Sequence, residues 1–187
     1  MGAGRGVGCG FSSGLQGVAR RGSLVQRRLV KAMVVNTPGP AESRPLQVRE
    51  RAVPGPGPGE VVIQVEACGV CRTDLHVVEG DLAAAAAEIT PGHEVVGRIA
   101  TCGDGVDRVP GDRVGLAWLH RTCGVCRCCL GGSKNLCLGP TFTGWQVDGG
   151  YAEYCRALLA LASEVPIRTH TQPYSLEAVN EALIDLK

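Results

Sequence analysis

EVVIQVEA, residues 60–67, is the strongest of a series of short strand candidates. The others are KAMVV (31–35), LQVRE (46–50), HEVVGRIAT (93–101), DRVGL (112–116) and GYAEYC (150–155). Gly/Pro-rich turns separate them, and PGPGPGE (54–60) is a rigid one. Short strands without alternating helices predict a small β-barrel or sandwich and not an alternating β/α protein. DLAAAAAEITPGH (81–93) reads as a connection in which five alanines could form one helical turn before Pro91 stops it. Near the C-terminus, Ser175 reads as an N-cap. Leu176, Val179, Leu183 and Leu186 then share one face of an amphipathic helix.

A chain of 187 residues can bury a core without disulfide staples. Residues 1–41 hold five Arg and Lys31 with no acid, so the remainder carries a net charge of −5. A mildly acidic body offers no nucleic-acid footprint. Residues 1–29 read as a disordered extension. They are Arg-rich like a transit peptide, but show no sustained helical period. No apolar run reaches the roughly 20 residues of a membrane span. Ten cysteines without a secretory signal point to a reducing compartment, the cytoplasm, where close thiols bind metal or do redox chemistry.

Five of those thiols lie in CGVCRCCLGGSKNLC, residues 123–137. The spacing Cys123-x2-Cys126-x2-Cys129-x7-Cys137 lets one turn aim two sulfurs at an ion and brings the chain back to complete a tetrahedron. Four thiolates make a closed structural zinc site, with Cys128 a free thiol beside it. An iron–sulfur cluster and a redox dithiol are the alternatives. Upstream, ACGVCRTDLHVVEGD (67–81) and TPGHEVVGRI (90–99) hold Cys71 and His93 as potential metal ligands among Thr73, Asp74, His76 and Glu94. A catalytic zinc takes three protein ligands and an open position, and a nearby hydroxyl backed by His can pass a proton to solvent.

Taken in order, GVCRTDLH, PGHEVVG, GDRVG, the CGVC…NLC loop and GGYAEY resemble the zinc-dependent alcohol dehydrogenases of the medium-chain dehydrogenase/reductase superfamily. The likeness covers their GroES-like catalytic domain, residues 30–157. It implies a mainly β fold: a partly open GroES-like barrel with a zinc lobe at 119–140 and a C-terminal helix. It also implies roles. Cys71 and His93 match two catalytic-zinc ligands, and Glu94 a carboxylate that can approach that ion. Arg72 matches a contact to the cofactor pyrophosphate. Thr73 matches the hydroxyl that takes the alcohol proton, and His76 the end of that relay. Asp74 matches a partner that orients a zinc-bound ligand. Cys123, Cys126, Cys129 and Cys137 match the structural zinc site. The family reaction oxidises small-molecule alcohols to aldehydes or ketones with NAD(P).

The likeness also exposes a gap. The family's Rossmann domain is inserted after the YAEY strand, but here EYCRALLALASEVPIR (153–168) follows at once. No G-x-G-x-x-G is found, and GAGRGVGCG fails the spacing. Residues 158–187 resemble the family's C-terminal return to the catalytic domain, with a junction at 156–159. The third catalytic-zinc ligand falls in the missing stretch, with Cys155 the nearest substitute. The expectation is a chain without the nucleotide domain, inactive by itself, monomeric and bearing an exposed apolar patch. A stand-alone zinc-binding module and a thiol redox switch are the other readings.

Overall fold

The computed structural model describes residues 28–83, 85–158 and 172–187. Its centre is β3 (Glu60–Gly69), paired antiparallel with β4 (Glu94–Cys102) on one side and β8 (Tyr154–Leu158) on the other. With β5 (Arg113–Leu116) beyond β4, the order is β5-β4-β3-β8. In the first half of β3, Glu60, Val61, Val62 and Ile63 are buried in succession instead of alternating, so both faces of the strand are covered there, while β4 and β8 pair with its two edges. Bulges at Val62/Ile63 and Val65/Ala67 bend the strand and increase its twist.

A hairpin of β1 (Leu29–Val34) and β2 (Gln47–Ala52) joins this sheet through a bridge from Ala32 to Ala152. Backbone bonds from Met33 N–H to the Tyr151 carbonyl (2.7 Å) and from Glu153 N–H to the Lys31 carbonyl (3.0 Å) support the join. The described strands curl without closing a barrel, in keeping with the expected partly open one. The sixth candidate, GYAEYC, is shifted: the strand starts at Tyr154, and the residues before it bend onto β1. Leu29 belongs to β1 and not to a disordered head, because it pairs with Ala52; residues 1–27 lie outside the described residues. The alanine connection is not helical over its described residues.

Two short strands, β6 (Leu119–Arg121) and β7 (Thr141–Phe142), pair with each other, so the cysteine lobe is the loop of a hairpin. Within it lie a one-turn helix, α2 (Arg127–Leu130), and a 3-10 turn at Lys134–Leu136.

The helix α1 (Arg72–Glu79) was not anticipated. Its N-cap is Cys71, a residue outside the usual Ser/Thr/Asp/Asn set. A capping box nevertheless forms, with Cys71 Sγ accepting from the Thr73 N–H and the Asp74 carboxylate accepting from the Cys71 N–H. Gly80, at φ 89°, ends the helix in the left-handed conformation that glycine tolerates.

The C-terminal helix, α3 (Val179–Leu186), follows a 3-10 turn at Leu176–Ala178. Ser175 precedes that turn but its side chain caps nothing. Val179, Ala182 and Leu183 face the core, whereas Leu186 is exposed, so the expected apolar face is shorter than its spacing implied. Asn180 locks the segment to the body: its side chain donates to the Leu46 carbonyl (3.0 Å) and accepts from the Leu46 N–H (3.3 Å). Lys187 reaches Glu79 (2.9 Å) and Glu42 (3.0 Å) at the surface. Leu183 is fully buried against the cluster that includes Met33, Leu75 and Tyr151. Leu183→Ala is therefore expected to cost about 2–5 kcal/mol in urea unfolding, from lost burial and a residual cavity. Lys187→Ala should change stability by no more than about 0.5 kcal/mol.

His120, on β6, is buried with Nδ1 unpartnered among the described residues. Its Nε2 lies 4.0 Å from the buried carboxylate of Glu60, which Arg121 and Arg156 also flank. Burial pushes the His120 pKa down, and the charges of Arg121 and Arg156 add to this against the opposing pull of Glu60. Folding thus favours neutral His120. Its contribution is present above the ordinary histidine range and is lost as pH falls below it. Urea unfolding at pH 7 and pH 5 should show a smaller loss on acidification for His120→Asn than for the parent chain.

Candidate metal centres

The first centre forms where the start of α1 meets the loop before β4. Cys71 Sγ and His93 Nε2 lie 3.3 Å apart. Bonds of about 2.3 Å to sulfur and 2.0 Å to nitrogen at the tetrahedral angle imply roughly 3.5 Å between two ligands of one zinc ion, so the pair fits. Asp74 is the third member of the group, whose ligand atoms lie within 4.8 Å of one another. Its oxygens are already engaged. Oδ1 accepts from His93 Nδ1 (3.1 Å) and from the Gly92 N–H (3.1 Å), and Oδ2 accepts from the Cys71 N–H (3.0 Å). This carboxylate fixes the imidazole tautomer and leaves Nε2 free as a ligand. Burial disfavours the charged His93 ring, but the hydrogen bond and charge of Asp74, with Glu94, outweigh it and raise its pKa.

Glycines allow this approach. Gly92, at φ 94°, lies against Tyr151, and a Cβ there would come within 2.6 Å of the tyrosine ring. The PGH and DGG stretches thus interlock closely, with the Gly149 and Tyr151 N–H groups donating to the Thr90 and Pro91 carbonyls and the Thr90 N–H donating to Asp148 Oδ1 (2.8 Å).

Arg72 and Thr73 open α1, Arg72 exposed and Thr73 half-buried. His76 lies one turn on, its Nδ1 2.7 Å from Asp81 Oδ2. Glu94 is exposed, opposite Gly69 in the β3–β4 register, and is not part of the close group. Cys155 is not brought to the site either: it pairs opposite Ile63 within the core of the main sheet, where burial pushes its thiol up to about 12.

An aromatic wall beside His93 was missed. The Trp118 ring meets the His93 ring edge-on at 4.9 Å and stacks on Phe142 at 4.8 Å and Trp145 at 6.2 Å. Trp145 also donates to the Ala83 carbonyl and borders an apolar pocket lined by Val35, Val77, Leu82 and Ile89. The available signal was rarity: the chain has two tryptophans, and both are here. Asp81 and Tyr151 were missed as well.

The second centre is the lobe. The sulfurs of Cys123, Cys126, Cys129 and Cys137 lie within 4.8 Å of one another, and Cys128 stands outside the group. Cys123 and Cys129 sulfurs are 3.9 Å apart, against about 3.8 Å for two thiolates on one zinc ion. Backbone N–H groups of Cys126, Cys123 and Gly139 point at these sulfurs. Backbone donors, first that of Leu138, lower Cys126 to about 6, and the Cys123 N–H lowers Cys137. Burial raises Cys129 to about 11. The preformed donors favour thiolate, the form a cation requires.

The family profile of the alcohol dehydrogenase GroES-like domain matches residues 57–166, more than half of the chain. "Probable alcohol dehydrogenase AdhA" of Mycobacterium tuberculosis is 48% identical over 143 residues, covering 73% of this chain and 41% of its own length. An alcohol dehydrogenase of Geobacillus stearothermophilus is 46% identical over 125 residues, covering 66% and 37%. Among solved structures, the cobalt- and zinc-bound thermostable alcohol dehydrogenase of Pyrobaculum aerophilum superimposes with a TM-score of 0.63 at 37% identity, over 70% of this chain and 39% of that one. The short chain alcohol dehydrogenase of E. coli CFT073 complexed with NADH gives 0.59 at 30%, over 69% and 36%. This chain therefore spans about two fifths of the relatives it matches. The strand order, the paired centres and these likenesses agree: the chain belongs to the alcohol dehydrogenase GroES-like domain family.

Proposed function

We propose that this chain is the catalytic-domain portion of an NAD(P)-dependent zinc alcohol dehydrogenase, internally deleted between the YAEY strand and the C-terminal return. The observation that carries it is His93 Nε2 held toward Cys71 Sγ while Nδ1 is committed to Asp74. Bound there, zinc would serve as a Lewis acid on an alcohol oxygen. Thr73 receives the alcohol proton, and His76, braced by Asp81, delivers it to solvent. Arg72 faces the cofactor pyrophosphate in a complete enzyme. Asp74 orients His93; Glu94 would be the carboxylate able to approach an ion there, and Cys123, Cys126, Cys129 and Cys137 would hold the structural zinc.

Residues 30–157 form the catalytic-domain unit and 158–187 its return; the docking of Asn180 and Leu183 supports that division. By itself the chain is cytoplasmic, monomeric and inactive. A cleft wall left uncovered by a nucleotide domain would form an exposed apolar patch; Val125, Leu130, Leu136 and Leu138 are exposed on the lobe as well. Those same side chains favour a second reading, a zinc-binding interaction module without catalysis. Loss of lobe zinc on mild oxidation would point instead to a thiol switch. The test of the main reading is a chelator titration of zinc-loaded protein. Two ions are expected, and the one at Cys71 and His93, with half its tetrahedron left to water, leaves first. A single ion per chain, unaffected by Cys71→Ser, would overturn it.

A further inference from the structure

Tyr151 carries a hydroxyl that the proposed chemistry does not use. The residue is 2% exposed, and its hydroxyl has no hydrogen-bond partner among the described residues. Its position is fixed at both backbone ends: the Tyr151 N–H donates to the Pro91 carbonyl (3.0 Å), and its own carbonyl accepts from the Met33 N–H (2.7 Å). The ring packs on Gly92, the same residue whose N–H donates to Asp74. Burial and then the Asp74 carboxylate raise the phenol pKa, so the group is a neutral O–H donor. Phenylalanine would fill this space without the cost of burying an unpaired hydroxyl.

Asp74 supplies the complementary count. A carboxylate has about four lone-pair positions. Three N–H groups occupy Asp74, those of Cys71, Gly92 and His93. One open acceptor position on Asp74 and one unpaired donor on Tyr151 therefore belong to two side chains that both adjoin Gly92.

We propose that Tyr151 is a positioning residue for the Cys71–His93 metal site, its buried hydroxyl supplying the fourth hydrogen bond to Asp74 and so holding that carboxylate behind His93. This rests on the zinc reading of Cys71 and His93. An ion held by Cys71 and His93 would fix the imidazole, and with it Asp74, in the place where this bond can close; Nε2 already lies 3.3 Å from Cys71 Sγ, so the two need not approach. Without the ion the hydroxyl is unpartnered among the described residues.

The test is Co²⁺ titration of the full chain, its Tyr151→Phe variant and a Cys71→Ser control, followed by visible absorption, with thermal melts of each in chelator. Tyr151→Phe is expected to weaken Co²⁺ at the Cys71–His93 site severalfold, less than the about 10–100-fold that follows loss of a ligand's own hydrogen-bond partner, because Tyr151 acts on His93 through Asp74. Uptake by the four-cysteine lobe should be unchanged, which also reports that the variant is folded. Its metal-free melting temperature should be equal to or above that of the parent. Equal affinity at the Cys71–His93 site would overturn the role of Tyr151 alone. A fall in metal-free melting temperature would reveal a merely structural hydroxyl and overturn it too. If Cys71→Ser binds as much Co²⁺ as the parent, the metal reading fails and this inference fails with it.

Discussion

Cys126→Ser should empty the 123–137 lobe of zinc and unfold it locally. The lobe has little else to hold it: Val125, Leu130, Leu136 and Leu138 are exposed, and its regular structure amounts to a one-turn helix and a 3-10 turn. Closely packed thiolates repel one another unless a cation lies between them. For structural zinc sites the binding free energy is folding free energy, of apparent magnitude about 10–16 kcal/mol. Serine removes one thiolate and leaves Cys123, Cys129 and Cys137 as an incomplete set. The expected result is loss of one tightly held zinc per chain by metal analysis. Hydrogen exchange across residues 122–140 should rise, while β3 and β4 remain protected. Iron in place of zinc, or a reduced parent chain with no metal, would refute the assignment. Because β6 leads directly from Trp118 into the lobe, its loosening should also disturb the aromatic wall, visible as a change in tryptophan fluorescence.

The second large effect is on turnover. Zinc-loaded chain is expected to reduce neither NAD⁺ nor NADP⁺ with any of a panel of primary and secondary alcohols. Holding two reactants in near-attack geometry contributes about 7–11 kcal/mol, a factor of roughly 10⁵–10⁸ in rate. Dinucleotide sites obtain that geometry from a Gly-rich turn between strand and helix, with the pyrophosphate at the helix N-terminus. No such sequence is found in this chain, and Arg72 is a single exposed guanidinium. The proton route proposed through Thr73 and His76 would remain, but a proton relay without a positioned hydride acceptor completes no cycle. NADH should likewise fail to bind in a fluorescence titration. Turnover that depends on zinc and disappears in Cys71→Ser would show that this chain has a cofactor site of its own.

Much of this molecule is written locally. The lobe could be read from the spacing of Cys123, Cys126, Cys129 and Cys137, because metal ligation constrains residues only a few positions apart. The central strands could be read from runs such as EVVIQVEA, whose apolar content survives any choice of neighbours. Cys71 and His93 needed the surrounding motifs as well, since a single Cys and His 22 positions apart carry no spacing signal. What only the tertiary structure decided is what depends on long-range packing. The helix start at Cys71 is local, a capping box with Asp74, and was missed because cap preferences favour serine and threonine; the remaining features are long-range. Trp118, Phe142 and Trp145 become one wall because the β6–β7 hairpin folds the lobe out between them. The C-terminal segment becomes part of the core through Asn180, whose partner Leu46 lies 134 positions away, and through Leu183, buried in the cluster that holds Met33 and Leu75. Tyr151 was legible as an aromatic residue in a strand motif. Only the fold buries its hydroxyl, because burial is a property of the assembled neighbours and not of the residue itself.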